Sequence, residues 1–283
     1  MARLNSVIDA LESGGTPSRR SRRPTRPRPL SSRPPTTTAW SSRPSTNPGT
    51  PHAAGQPPVP AQPAADLRGR HARRVPTPLV RVPVNGAEHG QWHAKQALDL
   101  GAYGIVWPHI SRVEEARNAV AACRYPRLPG DSRYEPAGLR GDAPTAAARY
   151  WGLPNQEYYA RADVWPLAPD GEILVVIQIE DQLGIQNLPE ILDQVPGIGL
   201  VLIGEGDLSQ ELGVPRQLEH PLMVEARSRI VEICHGHGVV VGHPHVTAGN
   251  VRQVLDEGYR FLMSAPVRSY PGLELGRRLT GRS

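Results

Sequence analysis

The residues best placed to do chemistry are two carboxylates, each of which follows an apolar run. Glu180 ends ILVVIQIE and Asp207 ends GLVLIGEGD. In parallel α/β folds the carboxyl ends of the strands open on one common side, so acids at the ends of successive strands converge. Paired carboxylate oxygens with room for water suit a hard divalent cation, Mg2+ or Mn2+, with Co2+ a further option. Two solvated strand-end acids would give the same pattern. Arg81 lies inside the run LVRVP, where an obligate cation is costly unless an anion meets it. It either pairs with a structural carboxylate or faces negative charge on a ligand. Beside a metal ion, a guanidinium is what a developing enolate oxygen requires. Gln178 shares the face of Glu180 by strand alternation and could bind a carboxylate or carbonyl, or serve as a buried structural amide. Gly204 and Gly206 flank Glu205 in IGEGDLS, and small residues there let backbone N–H groups approach an anionic group. His109 in WPHI, and His243 and His245 in VGHPH, also fall at strand ends. Their spacing does not complete a zinc site, and they read as supporting or proton-relay groups.

These residues need a scaffold of alternating strands and helices. Short continuous apolar runs, the mark of strands covered on both faces, occur at Leu79–Val82, Gly104–Trp107, Ile173–Ile179, Leu200–Ile203, Val239–Val241 and Phe261–Met263. Between them lie amphipathic segments. Ser111 and Glu114 predict a capping box, with Val113, Ala116, Val120 and Cys123 on one helix face. Asn187 predicts the cap of a helix beginning near Pro189, and Gly101, Gly238 and Gly258 stand where helices should stop. Residues 124–170 interrupt the rhythm with a Pro/Gly-rich excursion, which predicts a lid or a subunit contact. The fold class is an α/β TIM (β/α)8 barrel, incomplete: six strands are recognisable where eight close a barrel.

The missing strands belong to the N-terminal quarter. Residues 3–13 place Leu4, Val7, Ile8 and Leu11 at helical spacing, and Gly14-Gly15 ends the pattern, so residues 1–15 form an N-terminal helix. Residues 16–75 are rich in Arg, Pro, Ser and Thr, too poor in apolar surface to offset an ordering entropy of roughly 1–2 kcal/mol per residue. Disorder is one expectation for them. Residues 76–283 form the barrel domain.

Charge divides the same way. Residues 1–76 carry 13 basic against 3 acidic residues, net +10, and residues 77–283 carry 19 against 24, net −5. The basic segment has little aromatic interleaving, so nucleic acid is not the expected partner. The two cysteines, Cys123 and Cys234, are far apart and outside any ligand spacing, which predicts buried thiols in a reducing cytoplasm. No run of about 18 apolar residues predicts a membrane span, and no apolar core follows the early arginines to predict export.

The strings PTPLVRVP, KQALDLG, VIQIED and LIGEGDLS, in that order on those strands, resemble the class II pyruvate aldolases of the HpcH/HpaI aldolase and citrate lyase family. The resemblance runs from about Pro76 to Arg278, with an outlier at RLNSVIDALESG. It implies a phosphoenolpyruvate/pyruvate-type barrel in which Glu180 and Asp207 ligate a divalent metal that chelates a 2-oxo acid. Arg81 would stabilise the enolate oxygen, and Gln178 with the backbone of Gly206 and Asp207 would orient the pyruvate moiety. Asp99 matches the aspartate of the family's KQ-x-LD-x-G string, the partner of a catalytic histidine in a D-x-E-H motif on the second strand. That motif has no match in this sequence. A second expectation for residues 16–75 accounts for the gap: the segment is translated in a shifted frame. Read from the third base of one codon into the next, the codons of Thr36 to Thr50 permit Asp-Tyr-Gly-Val-Val-Phe-Glu-Ala-Glu-His-Gln-Pro-Trp-Asp.

The resemblance thus implies an aldolase joining or cleaving pyruvate and an aldehyde, with a family-type hexamer as its assembly and impaired proton transfer in this chain. Two rivals stay open on the sequence. One is an acyl-CoA lyase of the malyl or citryl type, which needs a wider mouth and a basic nucleotide site. The other is a non-enzymatic binding protein with a basic tail, marked by strongly salt-dependent association.

Overall fold

The structure is a computed structural model that describes residues 3–14, 39–40, 77–82, 89–264 and 270–280. Its elements are α1 (Ser6–Gly14), β1 (Ala39–Trp40), β2 (Pro78–Arg81), α2 (Gln91–Asp99), β3 (Gly104–Trp107), α3 (Val113–Ala122), α4 (Thr145–Trp151), α5 (Asn155–Arg161), β4 (Val164–Trp165), β5 (Ile173–Ile179), α6 (Gln182–Gln194), β6 (Leu200–Ile203), α7 (Glu205–Glu211), α8 (Pro221–Gly236), β7 (Val240–His243), α9 (Val251–Asp256), β8 (Phe261–Leu262) and α10 (Pro271–Leu279). Every strand pair is parallel, in the order β1-β2-β3-β5-β6-β7-β8, and β4 pairs with the first two residues of β5. The sheet curls into a half-barrel. No pairing between β8 and β1 closes it among the described residues.

Alternation along each strand sorts side chains into two layers. Ile173, Val175, Ile177 and Ile179 face outward with Ile105, Trp107, Val201 and Ile203, beneath the helices. Leu174, Val176, Leu200, Leu202, Leu79 and Val106 face inward. Register places Arg81 beside Val106, Val106 beside Val176, and Val176 beside Leu200, so Arg81 enters the interior layer from β2. Gln178 lies beside Leu202 in the next inward layer, nearer the mouth.

The helix expected at the N-terminus is α1, and its Val7, Ile8 and Leu11 join the inward layer as a plug. Polar contacts fix it at the N-terminal ends of the strands. Asn5 caps α1, its Oδ1 accepting from Val7 N at 2.9 Å and Ile8 N at 3.2 Å. Its Nδ2 donates to the carbonyls of Tyr103 and Glu172, the residues just before β3 and β5. The fully buried Glu172 carboxylate accepts from Leu4 N and Asn5 N.

Several local expectations shift. Strands expected at Leu79–Val82, Val239–Val241 and Phe261–Met263 lie within a residue or two of those bounds. Two short strands, β1 and β4, come in addition. The helix after β3 starts at Val113 with Arg112 as its N-cap, so Glu115 rather than Glu114 stands at the third position and reaches back to Ser111 N and Arg112 N, while the Ser111 hydroxyl donates to Asp181. Helix α6 starts at Gln182, well before Pro189, with Asp181 accepting from Gly184 N as its cap; Asn187 instead donates to Ser111 O. Gly101, Gly238 and Gly258 follow helices with φ of 100°, 66° and 99°, a conformation that favours glycine.

The excursion at residues 124–170 is not a lid. It joins the end of α3 to the start of β5, at the end of the sheet opposite the mouth, and it is packed. The buried Arg124 guanidinium binds Asp163 twice and the carbonyls of Arg133 and Pro136, and Trp151 and Tyr158 are buried with it. Among residues 16–75, only Ala39–Trp40 lies within the described residues, paired with Pro78 and Leu79. The expectations of disorder and of a shifted frame otherwise fall outside them.

Candidate metal centre at the mouth of the sheet

Glu180 follows β5 directly, and its carboxylate turns inward over the end of β6. Gly204 makes that possible, since a Cβ there would lie 2.1 Å from Glu180 Oε1. The close neighbour of this glycine is therefore a side chain of the protein itself. Glu180 is only 4% exposed. Its Oε1 accepts from Gln178 Nε2 at 3.0 Å, and its Oε2 from the backbone N–H of His109 at 2.8 Å. The Oε1 of Gln178 is itself buried without a partner.

Asp207, in the first turn of α7, reaches the same place from the solvent side. The His109 imidazole stands between the acids, Nε2 lying 3.4 Å from Glu180 Oε2 and 3.5 Å from Asp207 Oδ2. One donor atom from each of the three residues fits within a span of 4.8 Å. His109 takes φ of 50°, unusual for a non-glycine residue. Burial holds the Glu180 carboxyl above the usual carboxylate range, against the opposing charge of His109 and Arg81, and the nearby Asp207 adds to the rise. A divalent cation answers such a site: it restores the charge that burial makes costly.

The structure therefore brings Arg81, Gln178, Glu180 and Asp207 to one mouth. Gly206 lies in the same first turn of α7, where a Cβ would meet the Arg216 guanidinium at 3.4 Å. The first helical hydrogen bond there runs from Leu208 N to Gly204 O, so the N–H groups of Glu205, Gly206 and Asp207 have no acceptor within the helix. Asp99 is not brought to this mouth. At the end of α2 it lies on the opposite side of the sheet, where its Oδ1 accepts from Arg140 Nη2 at 2.9 Å.

His243 and His245 go elsewhere too. Glu205 points away from Glu180 and accepts from Arg227 Nη1 at 2.8 Å and pairs with His245 Nδ1, while His243 Nε2 lies 3.7 Å away. Burial would raise the Glu205 carboxyl, but the His245 and Arg227 hydrogen bonds outweigh it and hold the group below its usual range. Burial pushes the His243 imidazole down. These groups line a cavity of about 110 Å3. Sequence reading missed Arg227, which sits mid-helix 22 residues after Glu205 and whose partner only the fold supplies. It also missed the backbone N–H of His109 as the clamp on Glu180; a positive φ leaves no trace in a histidine codon.

Gly204→Ala should displace the Glu180 carboxylate, because the new methyl would lie 2.1 to 2.6 Å from three atoms of the Glu180 side chain. Mg2+ affinity by calorimetry is expected to fall at least about tenfold, a loss comparable to disturbing the support of a metal ligand. Affinity within about twofold of the unaltered chain would show that Glu180 does not need that position.

Comparison with known proteins agrees with this arrangement. Residues 67–265 match the family model described as HpcH/HpaI aldolase/citrate lyase. A hydroxypyruvate/pyruvate aldolase of Roseobacter denitrificans is 32% identical over 188 residues, 66% of this chain and 65% of that protein. One of the same name from Paraburkholderia phytofirmans is 30% identical over 202 residues, 71% of each chain. A crystal structure of a HpcH/HpaI aldolase/citrate lyase family protein from Burkholderia cenocepacia superposes with a TM-score of 0.57 at 28% identity, covering 74% of this chain and 73% of that one. The described sheet, the strand-end acids and these matches agree: the chain belongs to the HpcH/HpaI aldolase/citrate lyase family.

Proposed function

We propose that the chain is a class II aldolase that uses a divalent metal, Mg2+ or Mn2+, to form or cleave the bond between a pyruvate enolate and an aldehyde. The observation that carries this reading is the meeting of Glu180 and Asp207 at one mouth, within reach of the Arg81 charge. One buried carboxylate and one solvent-facing carboxylate suit a hard cation that keeps positions open for water and substrate. When bound, that ion would polarise the carbonyl of the 2-oxo acid and lower the cost of removing its α-proton.

The chain's own residues do the rest. The Arg81 guanidinium brings a fixed positive charge to the mouth, where the enolate oxygen gains negative charge, and a preorganised donor is worth most at such a point. The free N–H groups of Gly206 and Asp207 receive the substrate carboxylate. Gln178 holds Glu180 through Nε2 and offers its unpartnered Oε1 to a donor on the substrate or its water. A cytoplasmic setting fits Cys123 and Cys234, both buried free thiols pushed up to about 12 by burial. No helix among the described residues is long and apolar enough to cross a membrane. Asp99 remains proposed as a catalytic group through the family resemblance alone, and the hexamer is proposed on the same ground.

The test is condensation of pyruvate with a panel of short aldehydes at saturating Mg2+ or Mn2+, in a chain with residues 16–75 read in the alternative frame, unaltered at residue 81 and with Arg81→Lys. Lysine keeps the charge and loses the planar fork, so turnover is expected to drop by more than about tenfold with folding intact. Turnover equal to that of the unaltered chain would return Arg81 to a structural role. Absence of aldol product under every condition, with the metal bound, would remove the proposed reaction.

A further inference from the structure

Resting on that metal centre, we infer that His109 is its third protein ligand and that its imidazole shifts the site's preference away from Mg2+ toward a later, nitrogen-accepting first-row ion such as Co2+. The geometry comes first. Two donors on one ion at about 2.1 Å, bound at right angles, lie about 3 Å apart. His109 Nε2 lies 3.4 Å from Glu180 Oε2 and 3.5 Å from Asp207 Oδ2. A contraction of a few tenths of an ångström along these two distances would place Nε2 on a corner adjacent to each oxygen, and all three donor atoms already lie within 4.8 Å of one another. His109 is 37% exposed in its side chain, and Asp207 is 55% exposed, so both can move. Glu180 is fixed.

A second observation concerns the other oxygen of the same carboxylate. The Gln178 carboxamide donates to Glu180 Oε1, yet its own oxygen is buried with no partner. A buried acceptor left open costs free energy unless a water or ligand meets it. The third observation is how His109 is held. Its backbone N–H donates to the very oxygen that its ring approaches, so the main chain of His109 is held beside the carboxylate while the ring keeps the freedom to close on a shared ion.

Ligand chemistry then sets the preference. Carboxylate and water oxygens suit Mg2+ and Mn2+, whereas an imidazole nitrogen binds later first-row ions far better than Mg2+. The opposing possibility is that His109, as an imidazolium, acts as an internal counter-ion between the two acids and competes with the metal.

The experiment uses the full chain with Co2+, Mg2+ and Mn2+ salts alone. His109→Asn is the informative variant: asparagine tolerates a positive φ, and its shorter side chain gives up the nitrogen at that corner and leaves it to a water oxygen. His109→Ala is the control for loss of any donor, and thermal unfolding checks both folds. Calorimetry is expected to show Co2+ affinity falling at least about tenfold in His109→Asn, with Mg2+ changing by less than about threefold. Pulsed electron paramagnetic resonance of the Mn2+-loaded unaltered chain is expected to show nitrogen modulation that both variants lose. Equal losses for Co2+ and Mg2+, a gain in affinity in His109→Ala, or absence of nitrogen modulation would each overturn the assignment. The last, with Mn2+ still bound, would leave the proposed aldolase function standing. Failure of the unaltered chain to bind any of the three ions would remove both.

Discussion

Glu180→Ala is expected to abolish divalent-metal binding and, with it, pyruvate-aldol turnover. Glu180 is the buried anchor of the mouth, and its two oxygens are held by Gln178 and by the His109 backbone. Loss of a residue that merely supports a ligand costs about 10–100-fold in metal affinity. Loss of an anionic ligand itself should exceed that range. Asp207→Ala should follow in the same direction with a smaller change in folding, since Asp207 is more than half exposed and its removal exposes no buried partner. Calorimetric titration with Mg2+ and Mn2+ reads both variants. Affinity unchanged in the two of them would end the assignment of this mouth as a metal centre. Glu180→Gln separates ligand chemistry from packing: the amide retains shape and an acceptor for the His109 N–H but carries no charge.

The second large effect concerns residues 16–75. A chain whose gene is read in the alternative frame across that segment is expected to turn over faster by roughly 10²–10⁴, the range that a placed general acid or base contributes. Two structural facts bear on it. In the alternative frame Val-Val-Phe falls on the codons of Ala39 to Ser42, and Ala39–Trp40 is where the structure pairs a strand with β2. That pairing reaches only Pro78 and Leu79, so among the described residues Val80 and Arg81 form an edge on that side. A longer strand would cover the edge beside Arg81 and reduce the hazard of intermolecular pairing. The Glu-His pair of the alternative frame then follows the strand, at the mouth. Asp99 lies at the other end of the sheet on Arg140, so the gain expected within one chain comes from the histidine without that partner. Side-by-side turnover with Mg2+ or Mn2+, together with light scattering for aggregation, decides the matter. A chain in its present form that is monodisperse and equally active would sink the shifted-frame reading.

Much of this protein can be read from its residues in order. Strands covered on both faces must be apolar throughout, so ILVVIQI and LVLI declare themselves. An acid at or a few residues past the carboxyl end of such a run is placed at the open end of the sheet, and on that ground the order of residues pairs Glu180 with Asp207. The α1 helix showed in its 3.6-residue spacing, and the helix-ending glycines in their tolerance of positive φ. What the order of residues could not decide is contact between groups that share no period and no neighbourhood. Asp99 was matched by its string, but a helix antiparallel to the strands carries its C-terminus to the far end, where Arg140 takes the carboxylate. Glu205, one residue from Gly206 and two from Asp207, turns the other way to Arg227, His243 and His245, because successive positions in a first helical turn point about 100° apart. Gly204 looked like room for a ligand and is room for Glu180. Local periodicity is written into a sequence because each strand or helix must bury one face whatever its surroundings. The partner of a buried charge is chosen only when elements far apart in the chain are brought together, and there the tertiary structure decides.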